Sequence, residues 1–230
     1  MKMVNAGYGL TIQFREDQAA VLVVERPSLL SDITVQLLAQ MDGEAGDFLI
    51  SEEGREIRFS KSVALVMNPF QIDFNDRRTI NKLYSELKTS AEAGLVDRMS
   101  INTLAIEAMD RILTTTSYRG IVHNLDFDWD KLFHMYEVRI EDQFDSTAEK
   151  ICEYIKIMRD LFEIRLMVFF NLHTYLEPEE LEYVYKLAAY YKIQLLLIEG
   201  REYPMISNEH TYIIDSDCCV IEREYRDDML

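Results

Sequence analysis

The stretch from Arg165 to Glu199 restricts the choice of fold more than any other part of the chain. Leu166-Met167-Val168-Phe169-Phe170 is apolar without polar alternation, the pattern of a strand covered on both faces. Asn171–Thr174 turns the chain. Glu177-Pro178-Glu179-Glu180 then opens a helix, because proline suits the first turn and carboxylates suit the positive helix end. Leu181, Val184, Tyr185, Ala188 and Ala189 recur at helical spacing, so one face packs down. Ile193-Gln194-Leu195-Leu196-Leu197-Ile198 reads as a second buried strand. A strand, a helix and a strand of these lengths make a crossover between parallel neighbours.

The rest of the chain supplies partners for this unit. Leu10–Phe14 alternates as a half-exposed strand, and Ala20–Glu25 reads as a buried one. Pro27–Met41 is a helix with Leu30, Ile33, Leu37, Leu38 and Met41 inward. Phe48–Ile50 and Ile57–Phe59 form a hairpin across Glu52-Glu53-Gly54, and Val63–Met67 is another buried strand. From Asp76 to about Ser117 the pattern is helical, broken near Gly94, and an apolar stripe runs through Leu104, Met109, Ile112 and Leu113. Ser146-Thr147-Ala148-Glu149 is a capping box. It starts a helix with Ile151, Tyr154, Ile155, Met158 and Leu161 inward. Tyr212–Ile214 and Cys219–Ile221 read as edge strands.

The order is sheet, helices, sheet. It implies an α/β fold with a mainly parallel sheet. Residues 1–71 and 150–230 form the head, and residues 72–149 are a helical insertion projecting from it as a leg.

Hydrophobic residues make up 48% of the chain, so it is globular. No apolar run approaches the roughly 20 residues of a membrane span. Met1-Lys2-Met3-Val4-Asn5 lacks the apolar core of a signal peptide, so a cytoplasmic location is expected. The three cysteines, Cys152, Cys218 and Cys219, are neither a disulfide framework nor a zinc motif.

Enzymatic motifs are missing where they would be needed. The first buried strand is followed by Arg26-Pro27-Ser28-Leu29, with no glycine and no Gly-Lys-Ser/Thr to wrap a phosphate. If the head descends from a nucleoside-triphosphatase fold, that chemistry has gone. There is no G-x-S-x-G motif. The four histidines (His123, His134, His173 and His210) are scattered; His173 stands at the end of a parallel strand, where ligands often bind, but a turn residue is the better reading of it. Asp76 with Glu86 and Lys88 would suit a metal nuclease, but these residues fall on a helix rather than on neighbouring strands.

Charge is the remaining signal. The formal net charge is −17, which taken alone argues against nucleic acid. Its distribution is uneven. Residues 75–120 hold seven bases and six acids, whereas residues 121–150 hold three bases and eight acids. Arg77, Arg78, Lys82 and Lys88 fall within a helical arc of about 140°, opposite Ile80, Leu83 and Leu87. This is either a solvated face or a phosphate-contacting stripe. Asp126, Asp128, Asp130 and Glu137 occupy the first, third, fifth and twelfth positions of a calcium loop. Lys131 stands where such a loop needs glycine. An acid-rich helix start capped by Asp128 or Asp130 therefore reads as well as a cation site.

The succession of motifs resembles the small accessory proteins of type II-A CRISPR systems that are needed to acquire new spacers. It comprises Val21-Leu22-Val23-Val24-Glu25, Asn68-Pro69-Phe70-Gln71-Ile72-Asp73-Phe74 and Leu125-Asp126-Phe127-Asp128. Leu166–Asn171, Tyr175-Leu176, Glu179-Glu180-Leu181, Leu195–Glu199 and Ile214–Asp217 follow in order. The resemblance implies a nucleoside-triphosphatase-like head without its phosphate loop, a helical leg and no catalytic activity. It also implies a homotetrameric ring that takes double-stranded DNA ends into its hole, with calcium bound by acidic residues.

Asp126 and Asp128 match the family's acidic pair, and Asp130 and Glu137 are added on spacing. Arg77, Arg78, Lys82, Lys88 and Arg98 are assigned to DNA on charge alone. The expected partners are the CRISPR integrase complex and effector nuclease, in adaptive antiviral defence. Two other readings remain open: a divalent-metal nuclease or phosphohydrolase using the same carboxylates, and a protein-docking module that binds no DNA.

Overall fold

In chain order the elements are β1 (Lys2–Asn5), β2 (Leu10–Gln13), β3 (Ala19–Val24), α1 (Pro27–Met41), β4 (Phe48–Glu52), β5 (Arg55–Ile57), α2 (Phe59–Ser62) and β6 (Val63–Val66). They continue as α3 (Arg77–Ser90), α4 (Arg98–Leu113), α5 (Trp129–Met135), α6 (Thr147–Phe162), β7 (Leu166–Phe170), α7 (Pro178–Tyr190), β8 (Gln194–Glu199), β9 (Glu209–Ile214) and β10 (Val220–Glu224). The structure, a computed structural model, describes residues 1–124 and 126–224. Leu125, part of one motif of the resemblance, lies outside the described residues.

The chain divides into two compact units. One is Met1–Ile72 with the chain from Asp142 onward, and the other is Asp73–Glu141.

In the first unit the described residues form two sheets. The larger has six strands in the order β10-β9-β3-β8-β7-β6. All its pairings are parallel except β9 with β10. Every residue of β3, β7 and β9 is buried, so both faces of these strands are covered, as the continuous apolar runs of β3 and β7 require. Side chains alternate between the faces. Ala20, Leu22, Val24, Val168, Phe170, Leu196 and Ile198 share one core with Ile33 and Leu37 of α1 and with Met3, Ile12 and Ile50 of the smaller sheet. That sheet is antiparallel, in the order β2-β1-β4-β5. The N-terminal strands are thus divided between two sheets.

Local chemistry explains several joints. β4 and β5 close across Glu53 and Gly54, both at positive φ (49° and 77°), the requirement of a two-residue primed turn. The buried Gln40 of α1 bonds Phe48 as a strand would. Its amide donates to the Phe48 carbonyl at 2.8 Å and accepts from the Phe48 N–H at 3.1 Å. A Cβ on Gly46 would lie 2.4 Å from that side chain, so the loop needs glycine there. Ser146 caps α6 by accepting from the Glu149 N–H at 3.1 Å.

β9 differs from the sequence expectation. It is an interior strand, paired with β3 on one side and β10 on the other, and of the two C-terminal strands β10 alone lies at an edge. Its first residues, Glu209, His210 and Thr211, are polar yet buried, which shortened the apolar signal to Tyr212–Ile214.

The second unit has a small, largely aromatic core. Tyr84 of α3 packs beside Phe133 and His134 of α5, and its hydroxyl donates to the Val138 carbonyl at 3.0 Å. Trp129 is buried and meets the edge of Phe127. Asn75 closes the unit with two 2.9 Å hydrogen bonds to the backbone of Ile140. Gly94, at φ 96°, breaks the helical path between α3 and α4. No residue of α4 is buried. The stripe expected to continue through Leu104, Met109 and Ile112 is exposed at 68%, 40% and 59%.

Candidate nucleic-acid and metal sites

The first turn of α3 is built for exposed cations. Asp76 caps it, accepting from the N–H groups of Arg78 at 2.7 Å and Thr79 at 3.0 Å. Thr79 and Tyr84 face inward, which turns Arg77, Arg78 and Lys82 outward. With Asn81 they line an open depression of about 520 Å³. Lys88 and Arg98, also assigned to DNA on charge, are engaged elsewhere. Lys88 Nζ stands 3.7 Å from an Asp130 carboxylate, and Arg98 Nη2 donates to the Phe127 carbonyl at 2.9 Å. Three of the five basic residues therefore share one surface.

The four acidic residues assigned to calcium lie around α5. Asp128 is its N-cap, accepting from the Asp130 N–H at 3.0 Å, and it lies 4.0 Å from Lys131. Asp130 falls in the first turn and is the partner of Lys88. Asp126 is exposed, and its N–H donates to Asn124 at 3.0 Å. Glu137 sits just beyond the helix at φ 49°. Their oxygens are the right kind for a hard cation. Among the described residues, however, no three of them bring ligand atoms within 4.8 Å of one another. The donors fit calcium in chemistry but not in position within a single chain.

Two histidine clusters escaped sequence reasoning. His173, just after β7, is held between two buried carboxylates. Nδ1 is 2.9 Å from Glu199 Oε1 and Nε2 is 2.8 Å from Glu209 Oε1. A neutral imidazole has one N–H and could satisfy only one of these contacts, so the ring is the imidazolium. Burial alone would lower its pKa. The hydrogen bonds and attraction from Glu199 and Glu209 win, and raise it to about 9. Glu209 Oε1 also accepts from the Tyr185 hydroxyl at 2.7 Å, and burial holds that phenol well above its ordinary pKa. This clamp ties α7 and the turn after β7 to β8 and β9. His173 is a structural cation rather than a ligand waiting at a strand end.

The second cluster is His210 on β9 with Glu222 and Glu224 on β10. It is the only group of at least three histidine, cysteine or acidic ligand atoms within 4.8 Å among the described residues, and it is able to coordinate a divalent metal. The pattern Glu-x-Glu on a strand was visible in the sequence. The register that sets it against His210 was not.

The comparisons with known proteins agree with one another. A model of the family described as CRISPR-associated protein (Cas_Csn2) matches residues 40–218. The chain is 25% identical to the CRISPR-associated protein Csn2 of Enterococcus faecalis over 188 residues, 80% of this chain and 82% of the relative. It is 23% identical to the Csn2 of Streptococcus agalactiae over 211 residues, 88% of this chain and 90% of the relative. The crystal structure of Stu0660 of Streptococcus thermophilus has a similar fold. Its TM-score is 0.54 at 13% identity, covering 96% of this chain and 76% of that one.

Proposed function

Because the chain belongs to the Csn2 family of CRISPR-associated proteins, whose members are non-catalytic accessory factors in spacer acquisition, we propose that it acts as a calcium-dependent homotetrameric ring that binds double-stranded DNA ends. The first unit is then the head, a nucleoside-triphosphatase-like sheet without its phosphate loop, and Asp73–Glu141 is the helical leg. The integrase complex and the effector nuclease are the partners to which such a ring would deliver DNA.

One observation carries this reading: α4 spans sixteen residues and buries none of them, while Met99 and Leu104 are 79% and 68% exposed. Apolar side chains spaced along one helix in this way call for a cover, and a second copy of the chain is the cover a ring supplies. The cation-lined depression of α3 belongs to the same unit. It gives a chain of net charge −17 a local surface suited to phosphate. Calcium at Asp126, Asp128, Asp130 and Glu137 would require assembly to draw their oxygens together.

Gel-shift titration with linear and closed circular duplexes, with and without calcium, tests the proposal. Calcium-dependent binding of the linear form alone is expected. Equal binding of both forms, or none in any condition, contradicts it. Arg77→Glu with Lys82→Glu should weaken binding and flatten the salt dependence by about 0.9 in log–log slope per lost phosphate contact.

A further inference from the structure

We propose that His210, Glu222 and Glu224 form a second cation site, for a divalent transition metal such as zinc or manganese, that staples β10 to β9. The site does not rest on the ring reading and uses none of the residues proposed for calcium.

The backbone register brings the three side chains together. Glu224 stands directly opposite His210 in the antiparallel pair, and Glu222 stands opposite Tyr212. His210 and Tyr212 are two apart on one strand, and Glu222 and Glu224 are two apart on the other. All four therefore belong to one face of the hairpin. The three ligand atoms lie within 4.8 Å of one another. Tyr212 stacks on the imidazole at 4.6 Å, and its own hydroxyl accepts from the Gln13 N–H at 3.0 Å. The ring is thus held by a residue that is itself held.

His210 is an anomaly, and a metal would give one of its two ring nitrogens a partner. The residue is 2% exposed, and neither ring nitrogen makes a hydrogen bond. Nε2 comes within 2.7 Å of Glu222 Oε1, but off the line that a hydrogen bond needs. Buried polar groups without partners are costly and rare. Coordination through Nε2 would give the nitrogen its partner and offset the closeness of the carboxylates.

The donor set selects the metal. One imidazole nitrogen with two carboxylates suits zinc or manganese, whereas calcium favours oxygen alone. Both glutamate side chains are more than half exposed, at 57% and 51%, so rotation about their side-chain bonds can bring them to an ion at about 2.0–2.2 Å. Arg15 is the built-in competitor. Its Nη2 lies 2.5 Å from Glu224 Oε1, and a metal would share or displace that contact. The ion would anchor a strand whose five residues are all exposed.

The test is isothermal titration of zinc chloride or manganese chloride into the full chain after chelation, with parallel melting curves. Wild type should bind zinc, and manganese more weakly. Its melting midpoint should rise by about 5–10 °C at a metal concentration a hundred times Kd. Glu222→Gln and Glu224→Gln, both at exposed side chains, should weaken zinc by more than about tenfold while leaving the metal-free melt unchanged. Asp128→Asn should leave zinc affinity intact. Cys218→Ser with Cys219→Ser removes the exposed thiols as an alternative zinc source and should also leave it intact. X-ray absorption of the zinc form should show one imidazole and oxygen ligands. Equal zinc affinity in wild type and Glu222→Gln, loss of binding in the cysteine variant, or no zinc or manganese binding by wild type would each overturn the proposal.

Discussion

The strands of the first unit and the helix α4 of the second use apolar residues in opposite ways. In β7 all five residues are buried, and Leu166, Val168 and Phe170 share a core with α1 and the smaller sheet. In α4 none is buried, although Met99, Leu104, Met109 and Ile112 are as apolar as their counterparts in the sheet. The charged contacts differ in the same way. The sheet unit encloses His173 between two carboxylates, whereas Lys88–Asp130 and Lys131–Asp128 are pairs with largely exposed side chains, a class worth about 0–1 kcal/mol. One unit spends its apolar residues on its own stability. In the other, α4 leaves them exposed.

The sharpest break of that contrast is a truncation in each unit. Phe169→Ala should cost about 3–5 kcal/mol, read as a fall in the denaturant midpoint. A loss below about 1 kcal/mol would mean that the buried strand does not carry the stability.

The next largest effect is alkaline. The folded pKa of His173, about 9, lies above its unfolded value of about 6.5. The stabilisation is therefore complete below pH 6.5 and is lost as pH rises through 9. The shift corresponds to about 3 kcal/mol, and His173→Asn should abolish this part of the pH profile. A variant that keeps the alkaline loss would move its origin to another group.

The smallest effect is expected on α4. Leu104→Ser with Ile112→Ser should change the stability of the dilute single chain by no more than about 0.5 kcal/mol.

The same contrast explains what could be read in advance. The β7–α7–β8 unit was legible because burial on both faces leaves an uninterrupted apolar run, and helix α1 because proline opens it. β9 was misread as an edge because Glu209 and His210 are polar, and only the clamp around His173 and the pairing with β10 explain their burial. The stripe on α4 was legible as helical periodicity, but periodicity does not say whether the cover lies in the same chain. At the sites, Arg77, Arg78 and Lys82 fell together because a helix repeats locally. The commitments of Lys88 and Arg98 depend on the approach of residues 127 and 130, which spacing does not reveal. The His210 cluster needed strand register, a long-range property.

Sedimentation of wild-type chain and of the Leu104→Ser, Ile112→Ser variant, each with calcium and with chelator, bears most directly on whether α4 is kept for a second copy. The expected result is a tetramer mass for wild type with calcium, and a smaller species for the variant under the same conditions. A monomer mass for wild type with calcium, or an unchanged tetramer in the variant, would contradict the account.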